Sequence, residues 1–264
     1  MHVDRMLGPA APEYGWVPAP RYLMRRHRIL ALTRDLPPGE LLEVGCGAGM
    51  LLHEFARQGF KCTALESSAA ALVVAEALAQ EAGLAIAFYD RPQDNWRANF
   101  RTLMTFEVLE HIEDDRAALA LWREWLQPGG HLVLSVPSHM KRWTAGDDWA
   151  GHYRRYERAG LIRLLGQSGL VVERFECYGY PMANIGEKLA ARGYARRILW
   201  TTEAQLDRRA GTDRSGIERG AHVRVYPLLR SPVGRLAITA CLGLQRLFLS
   251  TDMGSGYVLR ARRR

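Results

Sequence analysis

The sequence predicts a doubly wound α/β domain with a mostly parallel sheet, and three observations carry that expectation. Short apolar runs alternate with longer helical segments from Leu41 to Cys177, a glycine-rich turn joins the first of those runs to a helix, and the runs are continuously apolar. Strict β/α alternation argues for a parallel sheet with helices on both sides. Strands covered on both faces read as unbroken Val, Leu and Ile rather than as an apolar/polar alternation.

Taken in order, the first twenty residues carry Pro9, Pro12, Pro18 and Pro20 with Gly8 and Gly15 and are expected to form an irregular arm. A helix follows from Arg21 to Arg34, ending before Pro37-Pro38-Gly39, so that residues 1–36 make an arm and helix ahead of the core. Leu41 to Gly45 reads as a strand, Met50 to Gln58 as a helix stopped by Gly59, and Lys61 to Glu66 as the next strand. An Ala-rich helix from Ala69 to Ala82 takes Ser67 or Ser68 as its N-cap. Ala85 to Tyr89 and Thr102 to Glu107 are strands, and Asp114 to Leu126 is a helix ended by Pro128-Gly129-Gly130. His131 to Val136 is a strand, followed by a loop of about twenty residues, a length that in a compact domain is usually functional or disordered. Helix and strand return over Glu157 to Gly166 and Leu170 to Cys177, completing a core over residues 37–179. Residues 180–255 break the rhythm with many arginines among apolar groups and read as a basic helical insertion or lid, leaving Gly256 to Arg262 as a last strand before a basic tail.

The whole is ordinary globular composition, 48% hydrophobic and 24% charged, with a formal charge of +8 and a pI near 9.6. Such a field attracts anions, whether phosphorylated substrates, acidic lipid headgroups or nucleic acid. No nucleic-acid recognition module is present, and no nucleic-acid partner is expected. Cys46, Cys62, Cys177 and Cys241 lack metal-type spacing, so no metal site is expected. The N-terminus has no cleavable signal pattern, and the cytoplasm is the expected location. The longest nearly uncharged apolar stretch, Leu236 to Gln245, is about half of the roughly 20 residues needed to span a bilayer.

The most informative segment is Leu42-Glu43-Val44-Gly45-Cys46-Gly47-Ala48-Gly49. Glycines at alternate positions between a strand and a helix let the backbone turn sharply and approach a ligand. The helix start then offers free N–H groups to a carboxylate or phosphate. Glu66 ends the next strand 21 residues past Gly45, where an acid can accept both hydroxyls of an adenosine ribose. Loop and acid together suit a dinucleotide or S-adenosylmethionine. A nicotinamide-binding turn favours Gly-x-Gly-x-x-Gly, and Met50 occupies the last place of that frame here.

The pattern Glu-x-Gly-x-Gly-x-Gly from Glu43 resembles motif I of the class I S-adenosylmethionine-dependent methyltransferases. Phe106-Glu107-Val108-Leu109-Glu110-His111-Ile112 and Leu126-Gln127-Pro128-Gly129-Gly130-His131-Leu132-Val133-Leu134-Ser135-Val136-Pro137 are similar to later segments of the branch that includes the ubiquinone-biosynthetic enzymes. The resemblance implies a seven-stranded sheet whose last strand is antiparallel, with the insertion before it. It also implies a cofactor, S-adenosyl-L-methionine, over the C-terminal edge. Glu43, Gly45, Cys46, Gly47 and Gly49 would lie near its amino-acid portion, Glu66 and Ser67 at the ribose, Asp90 near the adenine, and Glu107 with Val108 near the methionine part. The stretch Asp90 to Asn99 and the pair Phe100-Arg101 depart from the family pattern.

Methyl transfer from a sulfonium is an in-line displacement, so an enzyme must mainly align the acceptor and exclude water. A base helps only if the acceptor loses a proton. His111, at the end of the fourth core strand, and His152, in the long loop, are the candidate catalytic residues. Trp149, Tyr153 and Tyr156 offer an aromatic wall, and Arg154 and Arg155 a grip on an acidic acceptor group. The acceptor expected is a small or lipid-like molecule methylated on O, N or C. The basic insertion either caps the site or rests on an anionic membrane at its inner face. Two other readings stay open: a non-catalytic cofactor-binding adaptor at a membrane surface, and an NAD-dependent oxidoreductase.

Overall fold

The computed structural model describes residues 2–199 and 220–264. A hairpin of β1 (His2–Asp4) and β2 (Gly8–Ala10) precedes α1 (Pro20–Leu32). The core then runs β3 (Glu40–Val44), α2 (Met50–Arg57), β4 (Lys61–Leu65), α3 (Ala69–Glu81), β5 (Ile86–Tyr89) and β6 (Phe100–Phe106). It continues with α4 (Asp115–Trp125), β7 (Leu126–Pro137), α5 (Ala145–Ala150), α6 (Arg158–Gln167) and β8 (Leu170–Tyr178). Helices α7 (Met182–Leu199), α8 (Gly220–Val223), α9 (Tyr226–Arg230) and α10 (Pro232–Arg246) come before β9 (Gly256–Arg263).

Seven strands form one sheet in the order β5-β4-β3-β6-β7-β9-β8, and β9 alone is inserted antiparallel, between β7 and β8. Strand neighbours alternate in their loyalties. Leu42, Leu103, Leu132 and Leu134 pack with Trp122, Trp125 and Leu161 on one side of the sheet. Their neighbours Leu41, Met104 and Val133 pack with Ile29, Leu52 and Phe55 on the other. That double burial is why the strands read as unbroken apolar runs. The chain leaves β3 for β4 and β5 on one side, then returns to β6 on the other, so the crevice at the C-terminal ends of β3 and β6 is the switch point of the sheet. Ligands bind at such points in open α/β sheets.

Three expectations need correction. The N-terminal arm is not irregular: Leu7, Ala10, Ala11 and Val17 are fully buried and pack with Met50, Leu78, Tyr226 and Ile238. Strand β7 begins at Leu126 rather than His131 and contains Pro128-Gly129-Gly130, across which its register against β6 slips. The long loop after β7 contains α5, opened by a capping box in which Thr144 and Asp147 satisfy each other's backbone N–H groups. The insertion is mostly helical over its described residues, with turns at 224–225 and from 247 to 255; Trp200, Arg208, Arg209, Arg214 and Arg219, read as part of it, lie outside the described residues. No helix among the described residues is long and apolar enough to cross a membrane.

Candidate active site

The glycine turn leaves β3 with Gly45, Gly47 and Gly49 all at positive φ, +70°, +54° and +69°. Gly49 is the N-cap of α2. The turn is fastened to the next strand by Glu66, whose Oε2 accepts from Gly47 N at 2.8 Å and whose Oε1 accepts from Ser68 N at 2.9 Å. A carboxylate has about four acceptor sites, so each oxygen keeps one for a hydroxyl. Ser68, not Ser67, caps α3 through Ala71 N; Ser67 and Asp90 are exposed at the rim. Behind the turn, Glu43 is buried with Oε2 unpartnered, and desolvation pushes its carboxyl up to about 8. Burial and the acids Glu43 and Glu66 likewise hold the Cys46 thiol well above its usual range.

Across the crevice, Glu107 ends β6 with φ +58°, a backbone state rare outside glycine. Its carboxylate accepts from Arg21 Nη2 at 2.8 Å, Ser135 Oγ at 3.0 Å and the Tyr178 hydroxyl at 3.3 Å, with Arg25 Nη1 at 3.4 Å. Burial works against the charge, yet Arg21 and Arg25 hold the carboxyl below its ordinary value. These two arginines are site residues that the sequence reading missed. They stand four apart on α1 and face a partner about eighty residues away, so nothing local separates them from a solvated basic face. Val108 follows Glu107 and lies against the glycine turn: a Cβ at Gly45 would come within 2.4 Å of its Cγ2.

Beyond Val108, a 3-10 turn over Leu109–His111 presents Glu110 and His111 to the loop that carries His152. The rings of His111 and His152 meet edge to face with centroids 4.6 Å apart. Glu110 is completely buried with neither carboxylate oxygen hydrogen bonded, and desolvation, then the charge of Glu107, raises its carboxyl well above 4.5. Burial followed by the neighbouring His152 pulls His111 down to about 3. Donor atoms of Glu110, His111 and His152 all lie within 4.8 Å of one another, a spacing that would admit a cation. The spacing of the cysteines carried no sign of this cluster.

The remaining loop residues divide. Trp149 packs on Tyr194 of α7 with ring centroids 5.0 Å apart, so it joins the loop to the insertion. Tyr153 donates its N–H to Glu110 O at 2.8 Å and lies beneath the Arg154 guanidinium. Arg154 pairs with Asp115 at 2.8 Å, and the Tyr156 hydroxyl donates to the same carboxylate at 3.0 Å. Tyr156 is thus a core residue beside α4 and no part of an aromatic wall. Arg155 is buried in a two-pronged pair with Asp147, at 2.7 and 2.9 Å, and is not presented to an acceptor.

A seven-stranded sheet with one antiparallel insertion, a glycine turn tied to an acid on the next strand, and a cation-held glutamate at the switch point define a nucleoside-binding α/β domain of the methyltransferase type. A model of the methyltransferase domain matches residues 19–174, and the chain belongs to that family. It is 32% identical over 125 residues to the ubiquinone biosynthesis O-methyltransferase of Serratia proteamaculans, covering 46% of this chain and 52% of that protein. The chain spans about half the length of the curated relatives it matches. Among solved structures, an S-adenosylmethionine-dependent methyltransferase from Mesorhizobium loti superposes with TM-score 0.55 at 16% identity, over 93% of this chain and 98% of that one. The [4+2]-cyclase SpnF superposes with TM-score 0.59 at 19% identity, over 99% and 87%. The same architecture therefore carries more than one chemistry, and function has to be argued from the site.

Proposed function

We propose that the protein is an S-adenosylmethionine-dependent methyltransferase acting on an O, N or C atom of a small or lipid-like acceptor, with oxygen favoured. One observation carries the reading: Glu66 is pinned by Gly47 N and Ser68 N with acceptor sites to spare, beside a turn whose three glycines all stand at positive φ. When bound, the donor supplies a methyl group already activated by the positive sulfonium. The chain's own residues bind and orient it. Glu66, with Ser67, takes the ribose hydroxyls. Gly45, Cys46, Gly47 and Gly49 give backbone contact, and Arg21 and Arg25 offer cations to the carboxylate of the amino-acid portion. Asp90 stands at the rim on the adenine side, and Val108 closes the floor with Glu107 behind it. The histidine cluster supports an oxygen acceptor, which must lose a proton, and the Serratia relative, named as an O-methyltransferase, favours the same atom.

The test is a thermal shift. S-adenosylhomocysteine raises the melting temperature and NAD does not; the reverse result overturns the class. A non-catalytic adaptor would show the same shift but release no S-adenosylhomocysteine with any acceptor.

A second reading concerns location. Leu228, Val233, Leu236 and Leu247 are 61–73% exposed along α9, α10 and the segment after it, interleaved with Arg224, Arg230, Arg235 and Arg246. An apolar face bordered by arginines suits peripheral contact with an anionic membrane from the cytoplasmic side. Flotation with anionic liposomes tests it: association lost in high salt supports contact, and no association leaves these helices as a cap held on α1 through α10.

A further inference from the structure

We infer that Glu187, on helix α7 of the insertion, accepts the α-ammonium of the donor, so that the insertion closes on the amino-acid end of that molecule. The inference rests on the methyltransferase reading and adds to it a binding residue from outside the matched segment, residues 19–174.

Helix α7 packs on α5 and α1. From it Glu187 reaches the guanidinium of Arg21, which stands between two acids: Nη2 donates to Glu107 Oε2 at 2.8 Å, and Nη1 lies 3.4 Å from Glu187 Oε1. The two acids differ in what they have left to offer. Donors from Arg21, Arg25, Ser135 and Tyr178 already converge on Glu107, about as many as a carboxylate accepts. Glu187 Oε1 is buried and accepts no hydrogen bond among the described residues. Its Oε2 lies 3.7 Å from Arg155 Nη1, but Nε and Nη2 of that guanidinium are committed to Asp147. Arg21 Nε and Arg25 Nε are buried without acceptors as well. Two donors and one acceptor, all withdrawn from water, are thus left unmatched in one place, whereas buried polar groups of folded proteins are as a rule paired.

An α-amino acid group answers that set group by group. Its carboxylate takes the N–H groups of Arg21 and Arg25, and its ammonium takes Glu187 Oε1, the acceptor that Glu107 no longer is. The charges agree. Arg21 and Arg25 balance Glu107 and Glu187, so a zwitterion enters without leaving a buried charge unopposed. Without Glu187 the set would be net positive and would suit a carboxylate alone. The bond from ammonium to Glu187 is charge-assisted, and because Glu187 belongs to α7, binding of the donor draws the insertion onto the core.

The test is calorimetry on the whole chain with three probes: S-adenosylhomocysteine, its analogue lacking the α-amino group, and 5′-methylthioadenosine, which lacks the amino-acid end altogether. The unmodified protein is expected to prefer S-adenosylhomocysteine to the deaminated analogue by about tenfold or more, the worth of one hydrogen bond to a charged group. In Glu187→Gln that preference falls to about twofold, while 5′-methylthioadenosine binds as before. Hydrogen exchange gives a readout that needs no variant: S-adenosylhomocysteine slows exchange over α7 and the deaminated analogue does not. Tighter binding of S-adenosylhomocysteine by Glu187→Gln overturns the inference, because the carboxylate then competes with the donor for Arg21. An equal loss for all three probes overturns it too, since α7 is then only a brace, and so does a preference that survives the substitution. Failure of all three to bind the unmodified protein defeats the methyltransferase reading itself, whereas binding that ignores the amino group leaves that reading standing and removes this one.

Discussion

At Gly45 the chain is committed twice, by a φ of +70° and by Val108 Cγ2, 2.4 Å from where a Cβ would stand. Left-handed backbone costs a residue with a side chain about 1–3 kcal/mol at such a position, and the collision displaces either the turn or Val108. Gly45→Ala is therefore expected to lower stability by about 1–3 kcal/mol and to abolish S-adenosylhomocysteine binding. In Gly45→Ala/Val108→Ala the collision is relieved and the backbone strain is not, so binding returns only in part. Denaturant titration and calorimetry on the pair check this, and full binding by the single variant would separate the turn from the site. Glu66 belongs to the same scale. Its substitution by Ala removes the acceptor of Gly47 N and of Ser68 N, and the expected outcome is at least a tenfold loss of affinity, about 1.4 kcal/mol. Turn and acid were both legible in the sequence because each depends on local backbone: a glycine between strand and helix, and a carboxylate at a strand end.

Element by element, α1 shows what the sequence could not disclose. Arg26 forks onto Glu54 of α2 and Arg28 onto Glu176 of β8, while Arg21 and Arg25 share Glu107. A helix with four cations in eight residues reads as a solvated face, yet here it is riveted to three core elements by partners 28 to 148 residues away. The N-terminal hairpin and α5 were missed for a different reason. Each is stabilised by what it packs on, and each is too short to show a period. The one local signal was the Thr144–Asp147 capping box. Removing one arginine leaves Glu107 a second counter-charge, whereas removing both strands a buried anion, which costs about 3–5 kcal/mol. Arg21→Ala and Arg25→Ala alone should each weaken S-adenosylhomocysteine binding with modest loss of stability. The double variant should destabilise by more than their sum. Additive losses in denaturant melts would show that the two cations do not share the one carboxylate.

For the molecule as a whole, the buried groups that change protonation set a pH window for stability. His27 and His53 are lowered by burial to about 4 and His111 to about 3, against an ordinary imidazole value of 6.5. As pH falls below 6.5 the unfolded chain takes up protons that these folded imidazoles refuse, so stability drops through that range. Glu43 acts in the opposite sense. Its folded carboxyl is raised to about 8 from 4.5, so its contribution is complete below 4.5 and is lost as pH rises through 8. Glu110, raised by burial, adds to the same alkaline loss. Three imidazoles outweigh two carboxyls on the acid side; above neutrality the carboxyls act first, and the buried thiols Cys46, Cys62 and Cys177, all raised by burial, add to the loss at higher pH. The melting temperature should therefore peak near pH 6.5, well below the pI of about 9.6, and fall on both sides. Glu43→Gln carries the neutral form at every pH. It should match the parent chain near pH 4.5 and exceed it increasingly toward pH 8, by ~2 kcal/mol or more, since each pKa unit is worth about 1.4 kcal/mol. Thermal melts of both proteins across a buffer series decide the matter: a melting temperature rising steadily toward the pI, or parallel curves for the two proteins, would mean that Glu43 ionises in the folded state as freely as in the unfolded one.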